Sequence, residues 1–431
     1  MGFLTRVEIT MNGIFINNYR GFRNTYFQLK KVNFFVGENS TGKTSLLKAI
    51  NFILSPINFL SPDESIQNRL GAFSEIYSGY KNECIEFGVH SSLEDKNFFY
   101  VIKIQNKDDV PYVAEFLIYS PEGLLLFHKP SRGYVKYFST KDVSVDTTTP
   151  NTCLQRLVEY SRELNKDSFQ SLRDLPKSFK EKIIIPTIFS KIHTMHTSIP
   201  YILFEKNVID IAPIRSCPQK TYDKIATERT SDGEHVPYLL KKILTSKAKQ
   251  HDGTIQNLEN YGQQSGLFQR IGVHSYGKTG NAPFALTVNM GKDRRIDSVG
   301  YGVSQILPIL TDIFSIEASK KNVLYTIQQP EIHLHPKAQA ALGDVFFQEA
   351  FNNGKRFCIE THSDYIIDRF RLAFLNQEIP DNFAQVLFTE RLQDQNRVTT
   401  VDIKTDGNYS DEQPNAFREF FLQEQIRLFS L

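Results

Sequence analysis

Val32-Asn33-Phe34-Phe35-Val36-Gly37-Glu38-Asn39-Ser40-Thr41-Gly42-Lys43-Thr44-Ser45 is the stretch on which the reading of this chain turns. Its first five residues form a continuous, mostly apolar run, the pattern of a strand buried on both faces. The run stops at Gly37. From Lys43 apolar residues recur at helical spacing, and Pro56 ends that pattern. Between strand and helix, residues 37–44 fit GxxxxGK[ST] in full. The glycines let backbone N–H groups turn inward around phosphates, and the helix N-terminus adds partial positive charge. In such a loop Lys43 reaches the β- and γ-phosphates and Thr44 ligates Mg²⁺. The candidate nucleotide-binding residues are Asn39, Ser40, Thr41, Gly42, Lys43, Thr44 and Ser45, with ATP and Mg²⁺ as the expected cofactors.

The rest of the composition narrows the class. The 431 residues allow about two to four domains, or one large domain with an insertion. Lys plus Arg total 50 against 48 Asp plus Glu, a net charge of +2, which excludes a histone-like or tail-driven nucleic-acid binder. Cys84, Cys153, Cys217 and Cys358 lie far apart and form no CxxC pair, so zinc-ribbon and disulfide-scaffold readings fall away. A reducing cytoplasm is the expected location. No apolar run approaches the roughly 20 residues of a membrane-spanning helix, and no membrane partner is expected. MGFLTRVEITMNG lacks a signal-peptide core, and Arg6 stands where myristoylation needs Ser or Thr.

Along the chain, the first 35 residues alternate apolar and polar positions and read as strands joined by turns at Asn12-Gly13 and Arg20-Gly21. Residues 84–120 alternate again (FFYVIKI, YVAEFLIY), and 152–182 switch to helical, charged spacing. Residues 219–275 are polar and Gln-, Lys- and Gly-rich, the look of an insertion or lid. Strand signals return at 284–290, 323–327, 356–360 and 385–389, with helical stretches between the later ones. That alternation implies a largely parallel sheet.

Three distal stretches carry further chemistry. At 323–336 (VLYTIQQPEIHLHP) a buried strand ends in Gln328-Gln329 before Pro330. Glu331, His333 and His335 follow; the HxH spacing raises a metal site, but no further ligand is apparent. At 356–364 the strand RFCIE runs into Thr361-His362-Ser363-Asp364. At 297–309 (DSVGYGVSQILPI) small residues open an apolar helix.

Together, GENSTGKTS (37–45), APIRSCPQKTY (212–222), SVGYGVSQILPIL (298–310), QPEIHLHPKAQ (329–339) and ETHSDYIIDRFR (360–371) resemble the ABC-type ATPases of the AAA15/AAA21 group. That group includes SMC-like heads, OLD-family ATPases and ATPase subunits of bacterial anti-phage systems. The resemblance implies an α/β fold, a P-loop NTPase of ABC-ATPase type, its mixed sheet flanked by helices and carrying an inserted helical or lid region. It divides the chain into an N-terminal part of the core with the P-loop (1–60), antiparallel strands with a helical insertion (61–205), a linker and lid-like region (206–295) and a C-terminal part of the core (296–431). It places Gln328 where an acid holds Mg²⁺ and Gln329 where a Glu polarises the attacking water. Neither amide is a general base or a charged ligand. Either hydrolysis is slow or absent, or Gln328 replaces a Glu by substitution. The resemblance further implies that His362 senses the γ-phosphate. Gly300, Gly302 and Ser304 would meet the nucleotide of a second copy, in a head-to-tail ATP-sandwich dimer or higher oligomer. Arg215, Lys220 and Tyr222 would lie near the nucleotide or interface, or be ordinary loop residues.

Relatives of the OLD type append a Toprim nuclease; here about 70 residues follow His362, with no HNH motif and no sustained heptad for an SMC coiled coil. The first functional expectation is therefore an ATP-binding sensor and scaffold of a two-gene anti-phage system, restraining a separate nuclease effector, of Toprim type, until a phage-encoded trigger protein acts. The second is an SMC/OLD-like repair or clamp ATPase with DNA as partner, on the basic residues Lys241, Lys242, Lys247, Lys249, Lys292, Arg294 and Arg295, which also read as a plain solvated face. A transporter ATPase, the third, would need a permease partner.

Overall fold

A computed structural model of the chain describes residues 10–54, 63–79, 84–93, 96–121, 123–129, 136–141, 143, 149–165, 168–171, 207–223, 228–246, 248, 251–280, 282–316 and 323–420. The chain forms two compact units, each built from separate stretches. One comprises Met1–Leu29, Glu38–Lys206 and Thr389–Thr399; the other Lys30–Gly37, Asn207–Phe388 and Thr400–Leu431.

The first unit holds an eight-stranded antiparallel sheet in the order Thr25–Gln28, Thr10–Asn17, Cys84–Leu93, Lys96–Lys107, Val110–Ser120, Gly123–His128, Lys136–Thr140 and Gln170–Ser171. The central hairpin turns on Asp108 (φ 55°) and Asp109 (φ 65°). Two consecutive left-handed residues match the twist of the flanking strands. Helix Pro150–Glu163 starts on the Thr149 side chain, which accepts from the Thr152 N–H at 3.2 Å, and on Pro150. Its apolar stripe of Cys153, Leu154, Leu157 and Val158 packs on Phe15, Phe99, Val101, Leu117 and Leu126.

The two early turns separate here. Arg20 (φ 45°) and Gly21 (φ 87°) do turn the chain, closed by Tyr19 and Phe22 bonding each other's backbone. The expected turn at Asn12-Gly13 is instead strand, with a register shift between Met11 and Gly13. Gly13 lies under the Tyr26 ring, where a Cβ would fall 2.2 Å from the phenol oxygen. That glycine answers close packing inside a strand. Of the helical spacing at 152–182, the part beyond Ser171 lies outside the described residues.

The second unit carries a six-stranded sheet in the order Asn207–Ile211, Val323–Gln328, Arg356–Glu360, Val32–Gly37, Ala384–Leu392 and Gln395–Ile403. The first four strands are parallel, so their carboxyl ends share one edge. Alternate residues of these strands (Phe34, Val36, Ile209, Ile211, Tyr325, Ile327, Phe357, Ile359) enter one core with Leu307 of helix Tyr301–Ser315, Phe346 of helix Pro336–Phe351 and Phe370 of helix Asp364–Leu372. Each such side chain contributes about 1.5–3 kcal/mol on burial.

The intervening residues of those strands must face the opposite way. Asp210, Thr326, Cys358 and Asn33 stand in register across four strands. Thr326 donates to Asp210 at 2.8 Å, and Gln385 donates to Asn33 Oδ1 at 2.7 Å. One step nearer the carboxyl edge come Gln328, Glu360 and Phe35.

The region expected as a polar lid is different in kind. Helices Val236–Thr245 and Asp252–Ser265 and a small antiparallel sheet, Arg270–Ser275, Phe284–Asn289 and Asp293–Arg295, place Leu240, Leu258, Tyr261, Ile271 and Phe284 in this same core. Its polar residues are outer faces of amphipathic elements. Residues 415–420 are helical; the rest of the expected terminal helix lies outside the described residues. Among the described residues, no helix is long and apolar enough to cross a membrane.

Candidate functional site

In the first unit, residues 38–42 lead into helix Lys43–Leu54. Ser40 (φ 63°) and Gly42 (φ 97°) hold left-handed backbone conformations, the geometry that turns successive N–H groups inward. Thr41 Oγ1 donates to the Glu38 carbonyl at 2.8 Å, so it accepts from Thr389 Oγ1 at 2.8 Å. Lys43, buried, donates through Nζ to the Glu38 carbonyl at 2.6 Å. The Leu46 N–H bonds the Gly42 carbonyl, closing the first helical turn. Glu38, Asn39 and Ser40 are exposed, Thr44 is half-buried and Ser45 buried. A Cβ on Gly42 would lie 2.6 Å from the Phe22 ring and 2.8 Å from Asn396 Nδ2. Asn396 in turn donates to the Arg20 carbonyl at 2.9 Å. Phe22 and Asn396 thus brace the loop, and sequence reading missed both because they are remote from it along the chain.

In the second unit, the carboxyl edge of the sheet is tied together by backbone and carboxylate. Gln328, the last residue of its strand, is buried. Gln329 holds φ 44°; its N–H donates to the Glu360 carbonyl at 2.8 Å and its own carbonyl accepts from Arg215 Nη2 at 3.1 Å. Glu331 reaches across to the next strand's exit. Its carboxylate accepts from Thr361 Oγ1 at 2.8 Å and from the His362 N–H at 2.7 Å. Burial raises the Glu331 carboxyl above its ordinary range, against these hydrogen bonds and the Arg215 charge. Burial likewise pulls Arg215 down to about 10, opposed by Glu331, so the guanidinium stays charged at neutral pH. Arg215 Nε and Nη1 have no hydrogen-bond partner among the described residues. His362 itself is exposed, just ahead of helix Asp364–Leu372, whose N-cap Ser363 accepts from the Ile366 N–H.

The HxH pair is put to other uses. His335 caps helix Pro336–Phe351, its Nδ1 accepting from the Lys337 N–H at 3.3 Å, and His333 (φ 65°) packs near the Tyr301 ring. Among the described residues, no group of three or more His, Cys, Asp or Glu side chains could hold a metal ion.

The three candidate signature residues are not equivalent. Gly300 precedes helix Tyr301–Ser315 with open space where a Cβ would point. At Gly302 a Cβ would meet the His333 carbonyl oxygen at 2.8 Å. Ser304 is buried and donates back to the Tyr301 carbonyl at 2.9 Å. Gly302 and Ser304 are thus packed within the chain, whereas Gly300 stands open. Tyr222 is also a core residue, stacked on Phe284, whereas Lys220 is exposed. Of the basic run, Lys241 is spent on the Gly280 and Ala282 carbonyls and Arg295 pairs with Asp297; Lys292 and Arg294 are exposed, and Lys247 and Lys249 lie outside the described residues.

The family model described as AAA_15, AAA ATPase domain, matches residues 11–367. No curated protein matches the chain. Among solved structures it is similar to the SMC head domain from Thermotoga maritima (9% identity, TM-score 0.38, covering 91% of this chain and 99% of that one). It is also similar to the Smc head with an extended coiled coil bound to the C-terminal domain of ScpA from Pyrococcus furiosus (10%, 0.41, 97% and 100%). A third is the Smc head with a coiled coil and joint from Pyrococcus yayanosii (8%, 0.45, 97% and 100%). The family assignment rests on the sequence match and not on these distant likenesses.

Proposed function

Because the chain belongs to the AAA ATPase domain family, we propose that it binds ATP through Asn39, Ser40, Thr41, Gly42, Lys43, Thr44 and Ser45 and uses the nucleotide to hold an assembly together more than to turn over. The observation that carries this reading is a contrast within the chain. The phosphate loop is complete and braced, while the strand that should end in acids ends in Gln328-Gln329. A neutral amide supplies neither a general base nor a charged Mg²⁺ ligand. Mg²⁺ would be held by Thr44 and the ATP phosphates, with Gln328 a poor further donor, and would screen phosphate charge when bound. His362 would report on the γ-phosphate, and Glu331 fixes its backbone.

In this proposal a second copy completes the nucleotide site through Gly300, Gly302 and Ser304, giving a homo-oligomer. Residues 1–60 and 296–431 carry the nucleotide-handling motifs, and 61–205 and 206–295 serve the rest of the assembly. Its role is that of an anti-phage sensor and scaffold restraining a nuclease effector until a phage protein acts, an arrangement like that of AriA in PARIS systems. Restraint by ATP occupancy suits a protein whose hydrolytic groups are amides.

Two measurements test it. Lys43→Ala should abolish ATP binding in equilibrium titration, because the phosphates lose their cation; unchanged affinity removes the loop assignment. The native mass of the chain co-expressed with its neighbouring genes, with ATP and Mg²⁺, should show a stoichiometric complex with a second gene product. A lone dimer that binds DNA with steep salt dependence would instead favour the clamp ATPase reading, for which the exposed Lys292 and Arg294 speak.

A further inference from the structure

The tip of the last hairpin seats on the phosphate loop at two points. Residues 389–399 belong to the first unit, together with the loop and the turn at Arg20-Gly21. Thr389 Oγ1 shares a hydrogen bond with Thr41 Oγ1 at 2.8 Å. Asn396 lies against Gly42, and its backbone N–H donates to the Gly21 carbonyl at 2.8 Å. Turn, hairpin and loop are thus one bonded cluster. Arg391 stands on the hairpin between these two contacts. It is two residues on from Thr389 in the strand Ala384–Leu392, so it leaves the strand on the same face, about 6–7 Å further along. Glu390 leaves on the other face and pairs with Arg397 at 3.8 Å. The Arg391 guanidinium is held in place. Its Nη1 donates to Asn396 Oδ1 at 3.1 Å, and it lies beside Gly21, where a Cβ would stand 3.2 Å from Nη1. Nearby arginines are spent on acids, Arg23 on Asp394 at 2.6 Å and Arg397 on Glu390. Arg391 is exposed and, among the described residues, has no acidic partner.

We propose that Arg391 is a further nucleotide-binding residue, a guanidinium held beside the phosphate loop by Asn396 that donates to the phosphate chain of the ATP in that loop. The inference rests on the nucleotide reading above and adds a residue to it. Three features favour it. A triphosphate is a polyanion, yet Lys43 is the one cation within residues 37–45, and Glu38 is an acid there. A guanidinium matches phosphate with a planar fork of N–H donors, and the bond to Asn396 occupies only part of that fork. Asn396 also fixes the side chain before any ligand arrives, which lowers the entropy lost on binding. The same amide donates through Nδ2 to the Arg20 carbonyl at 2.9 Å, so Arg391 is tied to the loop's own brace. Sequence reading passes over Arg391 because it lies far along the chain from the loop, in no recognisable motif.

The test is displacement of a fluorescent ATP analogue from full-length protein by unlabelled ATP and by inorganic tripolyphosphate, at low and high salt. Arg391→Met should weaken both competitors by a similar factor, about tenfold at low salt, and the gap from the parent should narrow as salt rises. Arg391→Lys keeps the charge without the fork; it should lose only a few-fold, and it covers the case in which Arg391→Met does not fold. Arg397→Met, on the same hairpin but spent on Glu390, should stay within about twofold of the parent. Unchanged affinity in Arg391→Met overturns the inference alone. So does a loss for ATP without one for tripolyphosphate, which would put Arg391 on the nucleoside. A loss that salt does not reduce also overturns it, since Arg391 would then act only by steadying Asn396. A parent protein that binds neither competitor, or a Lys43→Ala protein that binds both as the parent does, overturns the nucleotide reading and this inference with it.

Discussion

Gly302 and Gly300 make a matched pair of perturbations at one helix start. At Gly302 the methyl of alanine would lie 2.8 Å from the His333 carbonyl oxygen, a backbone atom. That oxygen cannot swing aside as a side chain would, because His333 sits at φ 65° in a loop fixed on both sides by the Gln329 bonds and by the Leu334 N–H donating to Glu331. Overpacking of this kind costs about 1–3 kcal/mol. Replacing glycine by alanine returns at most about 1 kcal/mol of helix propensity, and less in the first turn. The net expectation for Gly302→Ala is a loss of about 1–2 kcal/mol. At about 2–4 °C per kcal/mol for a domain of roughly 150–250 residues, the thermal midpoint should fall by about 2–8 °C. Gly300→Ala meets nothing within 4 Å at φ −58°, and should leave the midpoint unmoved. Differential scanning calorimetry of both variants decides it. A Gly302→Ala protein as stable as the parent would refute the claim that this glycine is held by internal packing. It would return the residue to the open surface with Gly300. ATP-dependent association is then best probed at Gly300, with a bulky residue that does not disturb the fold.

Three further perturbations follow from the same geometry. Lys355, buried, donates to Glu349 and to the Ile313 carbonyl, both at 2.6 Å; Lys355→Met should cost about 3–5 kcal/mol in urea unfolding by stranding the Glu349 charge, and Lys355→Met/Glu349→Leu should recover most of it. Because the Glu331 carboxyl is raised above 4.5, the native state holds its proton more tightly than the unfolded chain does. Its contribution is therefore fullest below that value and is lost as pH climbs through the raised pKa. The stability of the parent relative to Glu331→Gln should decline as pH rises above the ordinary carboxyl range, and a constant difference in thermal midpoint would contradict the shift. Gln329→Glu should raise phosphate release, by up to about 10²–10⁴-fold if general-base help is what the amide denies; a flat rate would assign the limit to Gln328 or to assembly.

What the sequence disclosed was local. The strand Val32–Gly37 and helix Lys43–Leu54 were readable because a continuous apolar run, a glycine-bounded loop and a helical period follow one another without interruption. The later parallel strands were readable for the same reason. Gly13 misled because glycine after asparagine marks a turn in most contexts, and only the Tyr26 ring, on a neighbouring strand, explains it otherwise. The region 219–275 looked like a lid because half of an amphipathic helix is polar; its buried half is visible only once Leu240, Leu258 and Tyr261 are seen in the core. The bracing of Gly42 by Phe22 and Asn396, the Glu331 bonds to Thr361 and His362, and the register of Gln328 with Glu360 are relations between distant segments. No local period encodes them.

The division of the chain has a consequence for its birth on the ribosome. The backbone changes unit after Leu29, Gly37, Lys206, Phe388 and Thr399, so no single contiguous fragment contains either unit. The strand Val32–Gly37 finds its sheet neighbours only in Arg356–Glu360 and Ala384–Leu392. At about 5–20 residues per second, that strand must wait on the order of tens of seconds for partners that have not yet been made. Throughout that interval Val32, Phe34, Phe35 and Val36 lack their native sheet neighbours. Pairing across so much intervening chain makes for slow closure and exposure to aggregation. The yield of this protein should therefore depend on how fast it is translated and on what shields the strand Val32–Gly37 until its neighbours are made.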